Sequence, residues 1–126
     1  MTSARILVID DEPEIRKFLE ISLRSQGYAV TLAPTARAGL AEFSALHPDL
    51  VVLDLGLPDL DGAEVLERLR AVSEVPVIVL TVRSGETQKV ALLDAGANDY
   101  VTKPFGIQEL MARIRLALRQ LSLIHI

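Results

Sequence analysis

Six residues have side chains that could do chemistry together: Asp10, Asp11 and Glu12 in one acidic run, Asp54 and Thr81 each closing an apolar run, and Lys103 ahead of a proline. Carboxylates brought close together repel and raise one another's pKa, and a hard divalent cation with oxygen ligands removes that penalty. Magnesium suits such a set, because it binds one or two carboxylates, keeps part of its water shell and leaves positions for phosphate oxygens. A hydroxyl from Thr81 and an ammonium from Lys103 at the same place would contact the oxygens of a phosphoryl group carried on Asp54. Taken singly, each residue has an ordinary explanation: Asp10 or Asp11 as a helix cap, Thr81 as a strand-end hydroxyl, Lys103 as a solvated amine. The chemistry depends on whether the fold gathers them.

Short β-branched runs alternate along the chain with longer amphipathic stretches, which predicts a parallel sheet covered by helices on both faces. Strands are expected at 4–9, 28–33, 50–53, 75–80 and 99–102, and helices at 14–25, 35–46, 62–72, 86–95 and 107–121. The first, third and fourth strands are continuously apolar and should be central, with Pro76 at the entry of the fourth; the second and fifth suit positions nearer an edge. The first helix should turn Ile15, Phe18, Leu19, Ser22 and Leu23 to one face and stop at Gln26 and Gly27, while Pro48 and Gly96 end two others. Five βα units with right-handed crossovers predict an α/β, flavodoxin-like three-layer sandwich with strand order 2-1-3-4-5. Ligands of such sheets bind beyond the carboxyl ends of the strands, at the switch between strands 1 and 3, where Asp10, Asp11 and Asp54 would meet. A cis imide bond at Lys103–Pro104 would turn the lysine towards them.

The chain has 126 residues, 50% hydrophobic and 24% charged, which supports one core and one domain, expected over 1–121. Residues 122–126 form an apolar tail that either continues the last helix or is a remnant of cloning. The net charge of −4 and pI near 5.1 offer no basic surface for nucleic acid. There is no cysteine to build a disulfide framework or a thiolate metal site. The start of the chain has no signal-peptide pattern, and charges interrupt every apolar run well below membrane-spanning length. A cytoplasmic protein without a membrane segment is expected.

The segments RILVIDDE, DLVVLDLGLPDLDG, PVIVLTVRS and GANDYVTKPF, each at a strand end and in this order, resemble the four signature regions of response-regulator receiver domains. The likeness covers nearly the whole chain and is greatest to the OmpR/PhoB branch of transcription factors. It implies a switch phosphorylated by a sensor histidine kinase, with Asp54 as phosphoacceptor. Asp11, Asp54 and the backbone carbonyl of Gly56 would be Mg2+ ligands, and Asp10 would help to hold the ion. Thr81 and Lys103 would contact the phosphoryl group, and Tyr100 would be the aromatic that moves with Thr81. Such receivers dimerise once phosphorylated, and Lys89 with Glu109 and Asp99 with Arg113 resemble the cross-subunit pairs, to which Leu93 and Met111 could add apolar contact. DNA binding would belong to a C-terminal domain not contained in this sequence.

Two positions depart from the family pattern. Val82 replaces a smaller residue beside the phosphoryl site and could narrow access, and Asn98 stands where an acid is common, removing one intersubunit ion pair. Asp59 and Asp61 are expected to shape the turn and cap the helix starting near Gly62, and His47 and His125 to be surface residues. A flavin-binding protein would share the fold but leave the acids, hydroxyl and lysine unexplained. A haloacid-dehalogenase phosphatase would need a second Asp where this chain has Gly56. A stand-alone receiver acting through protein contacts also fits these residues.

Overall fold

In the computed structural model, residues 3–82 and 85–124 are described, with side chains through residue 119. Strands β1 (Arg5–Ile9), β2 (Ala29–Ala33), β3 (Leu50–Asp54), β4 (Val77–Thr81) and β5 (Asp99–Thr102) alternate with helices α1 (Pro13–Ser25), α2 (Ala36–Leu46), α3 (Gly62–Val72), α4 (Glu86–Asp94) and α5 (Ile107–Ile124). All pairings are parallel, in the order β2-β1-β3-β4-β5. The expected flavodoxin-like three-layer sandwich is what forms. Backbone of α5 runs into the tail as far as Ile124, whereas Arg83, Ser84 and His125 lie outside the described residues.

Alternation along the three central strands divides the core between the two faces of the sheet. Leu7, Ile9, Val51, Leu53, Val77 and Val79 pack under α2, α3 and α4, against residues such as Phe43, Leu66 and Leu92. Ile6, Val8, Leu50, Val52, Ile78 and Leu80 face α1 and α5, where Leu19, Leu23, Leu110, Met111 and Ile114 close the second layer. Strands buried on both sides need no polar face, which is why these runs read as continuously apolar. The fourth strand starts later than its apolar run, at Val77, because Pro76 has no N–H to donate; its carbonyl still accepts from Val51.

Two expectations about helix faces are corrected. Phe18 is 47% exposed, since the inward stripe of α1 follows Ile15, Leu19 and Leu23 and leaves Phe18 on its flank. Met111 is buried in the α5 layer and is not available to a partner, whereas Leu93, Val90 and Leu116 are exposed.

Register positions the reactive rim. Ile9 is paired with Leu53, so Asp10 and Asp54 follow at the same level; Asp54 is paired with Leu80 and Thr81 with Thr102, so Thr81 lies one residue and Lys103 two residues beyond that level. The loop after β3 is closed tightly at Gly62, where a Cβ would lie 2.6 Å from Leu55 Cα, a backbone atom that cannot swing away. Gly62→Ala is therefore expected to destabilise the protein by about 1–3 kcal/mol in chemical denaturation.

Candidate metal and phosphoryl site

Asp10 and Asp54 are almost wholly buried at neighbouring strand ends, while Asp11 and Glu12 stand at the more accessible rim. One carboxylate oxygen from each of the four lies within 4.8 Å of the others. The ammonium of Lys103 sits among them, 3.2 Å from Asp54 Oδ1, 3.4 Å from Asp10 Oδ2 and 3.1 Å from Glu12 Oε1. The Lys103–Pro104 bond is cis. Local backbone completes the cradle: the Glu12 amide donates to Asp10 Oδ1 at 2.9 Å, and the Gly56 amide to Asp54 Oδ1 at 3.1 Å. Thr81 is buried, and its carbonyl accepts from the Lys103 amide at 2.7 Å. Asp11, Asp54, Gly56, Thr81, Val82 and Lys103 all line one cleft. Val82 is 75% exposed at its mouth, the position from which its branched side chain would restrict entry.

Burial pushes the Asp10 carboxyl above its ordinary range, helped by the Asp54 charge and opposed by the Glu12 amide and Lys103. Asp54 is raised in the same way, by burial and by its hydrogen bond with Asp11, against the Gly56 amide and Lys103. For Lys103 burial works against the charge, but Asp10 and Asp54 outweigh it and hold the ammonium above its usual range. Two buried carboxyls that resist ionisation, joined by two more open acids and a single ammonium, form an oxygen-rich set short of positive charge. A hard divalent cation fits that set of carboxylate oxygens from Asp10, Asp11, Glu12 and Asp54.

The raised acid pKa values also fix a sign for stability. Ionising Asp10 costs the metal-free fold above its folded-state pKa, and that cost disappears as pH falls through this value towards the unfolded one. Asp10→Asn is expected to raise the melting midpoint of metal-free protein at neutral pH, with the gain vanishing in acid. Thermal melts over a pH series would read this.

Elsewhere the structure assigns new partners to expected residues. Asp61 caps α3 through the Ala63 amide, as expected, but Asp59 does not: its two carboxylate oxygens accept from Ala36 and Arg37 at the start of α2, each at 2.9 Å. Asn98 accepts from Arg70 at 2.7 Å and from the Val77 amide at 2.8 Å, so the residue that departs from the family pattern serves as an internal tie. Arg70 also donates to Gly96 and Val75 carbonyls, joining the end of α3 to the turn before β5. Tyr100 is half-buried against the core with the Lys89 ammonium 5.0 Å from its ring centre. Arg113 makes two bonds to Asp99 of its own chain, at 2.9 and 2.8 Å, and lies 4.0 Å from Glu109. Sequence reasoning gave Glu12 no partner and Arg70 no role. The acid run signalled the first, whereas nothing local signalled the second.

Residues 6–115 match the family model described as the response regulator receiver domain. The chain belongs to that family. It is 54% identical over 117 residues to the KDP operon transcriptional regulatory protein KdpE of Escherichia coli K12, covering 93% of this chain and 52% of that protein. Against the transcriptional regulatory protein KdpE of Mycobacterium tuberculosis H37Rv it is 51% identical over 115 residues, covering 91% and 51% respectively. The receiver thus spans about half the length of the curated relatives it matches. A CheY-like response regulator receiver domain from Methanospirillum hungatei JF-1 superposes with a TM-score of 0.88 at 32% identity, covering 94% of this chain and 96% of that one. The receiver is of the OmpR/PhoB type, like KdpE. Among its described residues, no helix is long and apolar enough to cross a membrane.

Proposed function

We propose that this receiver accepts a phosphoryl group on Asp54 from a sensor histidine kinase, in a Mg2+-dependent reaction, and passes the change on by dimerising. The observation that carries this reading is the approach of Lys103 to 3.2 Å from Asp54 within a cluster of four carboxylates. An Asp54 carboxylate oxygen forms the bond to phosphorus while the phosphorus–nitrogen bond of the donor phosphohistidine breaks, its electron pair leaving with the imidazole. Asp11, Asp54 and the Gly56 carbonyl would hold Mg2+, with Asp10 supporting. Bound there, the ion would neutralise charge on the phosphoryl oxygens. Lys103, already at the acceptor, meets one phosphoryl oxygen, and the Thr81 hydroxyl meets another. The same side chains, with water admitted past Val82, would assist hydrolysis of the acyl phosphate and so reset the switch.

Output in this reading is transcriptional. The relatives named above are transcriptional regulators about twice the length of this chain, and DNA contact would fall to a further C-terminal domain of the full-length protein. A receiver with net charge −4 is not suited to grip DNA itself. Kinase, receiver and promoter would meet in the cytoplasm.

The test is peptide mapping after incubation with a small phosphodonor, with and without Mg2+. One phosphoryl group on the Asp54 peptide, absent without the ion and absent from Asp54→Asn, is the expected result. Phosphate mapped elsewhere, or normal labelling of Asp54→Asn, would overturn it.

A further inference from the structure

The loop from β3 to α3 carries Gly56, and it is pinned to the start of α2. Asp59, in the middle of that loop, places one carboxylate oxygen on the Ala36 amide and the other on the Arg37 amide, both at 2.9 Å. These are first-turn amides of α2, which have no partner within their own helix. The next amide, Ala38, is met by the Thr35 side chain at 3.1 Å. α2 is also the one described helix without an acid in its own first turn; α1, α3, α4 and α5 carry Glu14, Glu64, Glu86 and Glu109 there. A carboxylate from a loop more than twenty residues away fills that place. The two amides hold the Asp59 carboxyl below its ordinary range, with Arg37 nearby adding to the effect.

We infer that Asp59 is a positioning residue for the ion site: by docking the middle of the loop on α2, it fixes where Gly56 presents its backbone. This rests on the Mg2+ reading given above and extends it to a residue that contacts neither ion nor phosphoryl group. The physical need is specific. Mg2+ demands near-octahedral geometry at about 2.0–2.1 Å, so a backbone ligand displaced by a fraction of an ångström is lost. Glycine at position 56 has no side chain to fix its conformation, and its own tie is the amide bond to Asp54. The loop is fixed at its start by the Gly56 amide on Asp54 and at its end by Asp61 on Ala63 and by the close seat of Gly62. Between those ends Leu57 and Leu60 pack on the core, and Asp59 adds a directional hydrogen-bonded tie to α2.

Mg2+ titration of Asp59→Ala, Asp59→Asn and Thr35→Ala by calorimetry, with amide hydrogen exchange on the metal-free proteins, tests the assignment. Asp59→Ala is expected to weaken Mg2+ binding roughly tenfold, in line with loss of a partner that orients a ligand, and to speed exchange at Ala36, Arg37 and Gly56. Asp59→Asn, which keeps one accepting oxygen, should fall between it and wild type. Thr35→Ala removes a cap from the same helix turn without touching the loop, and should lower stability while leaving Mg2+ affinity and Gly56 exchange unchanged. The inference is overturned if Asp59→Ala binds the ion as wild type does, or if Thr35→Ala weakens binding equally. Absence of Mg2+ binding by the wild-type chain is a different result: it overturns the metal reading itself.

Discussion

Asp11→Ala is expected to weaken Mg2+ binding roughly tenfold or more, and Lys103→Ala to leave it intact or stronger while abolishing phosphorylation-driven dimerisation. The two variants separate ion holding from phosphoryl sensing. Asp11 offers an oxygen to the cluster, and in the proposed reading its loss would remove a direct ligand. Lys103 supplies the opposite charge, reaching Asp10, Glu12 and Asp54 at 3.1–3.4 Å, so its removal leaves those acids more in need of a cation. What the lysine variant loses is the ammonium that would meet a phosphoryl oxygen, and with it the differential binding that lets phosphorylation shift a conformational equilibrium. Calorimetric titration reads the first property and sedimentation of phosphorylated protein the second. A fall in Mg2+ affinity for Lys103→Ala as large as that for Asp11→Ala would show this division of roles to be wrong.

Phosphorylated receiver is expected to form a symmetric dimer through the face carrying Lys89, Asp99, Glu109 and Arg113, and charge reversal there should expose the pairing directly. In the single chain these groups are already engaged: Arg113 holds Asp99, and Lys89 covers Tyr100. Dimerisation must then exchange internal partners for external ones. The net gain per exposed pair is about 0.2–1 kcal/mol, duplicated by a twofold axis, so either reversal should weaken association by about tenfold. Exposed Leu93, Val90 and Leu116 would supply the apolar part of the contact. Asp99→Arg chains and Arg113→Asp chains should each dimerise poorly alone. An equal mixture should recover, because only the mixed pair places opposite charges across both contacts. If the mixture stays weak while the double variant Asp99→Arg/Arg113→Asp recovers, the pair acts within the chain and the interface lies elsewhere.

Much of this was legible because the informative signals are local. A strand buried on both faces must be apolar throughout, so β1, β3 and β4 announced themselves, and the acids, hydroxyl and lysine just beyond strands fell at one rim as soon as the strand order was fixed. The misses share the opposite character. Phe18 satisfies the helical period as well as Leu19 does, and only the tilt of α1 on the sheet decides which is covered. Met111 lies on the buried side of α5 for the same kind of reason. Asp59 was read as serving the helix that follows it, because capping is ordinarily a matter of adjacent residues; its partner is set by how two loops meet in space. Arg70 and Asn98, 28 residues apart, left no local trace of their pairing.

Parallel strands with returning helices give the molecule a direction. β1 begins and α5 ends at the rim opposite the acids, so a polypeptide continuing from α5 departs from the side farthest from the chemistry. Five-residue strands separate the two rims by about 16 Å, too far for an appended domain rooted there to feel a phosphoryl group by contact alone. Such a domain would receive its instruction mechanically, as a change in the flanks along which it leans, because strands and returning helices run from one rim to the other.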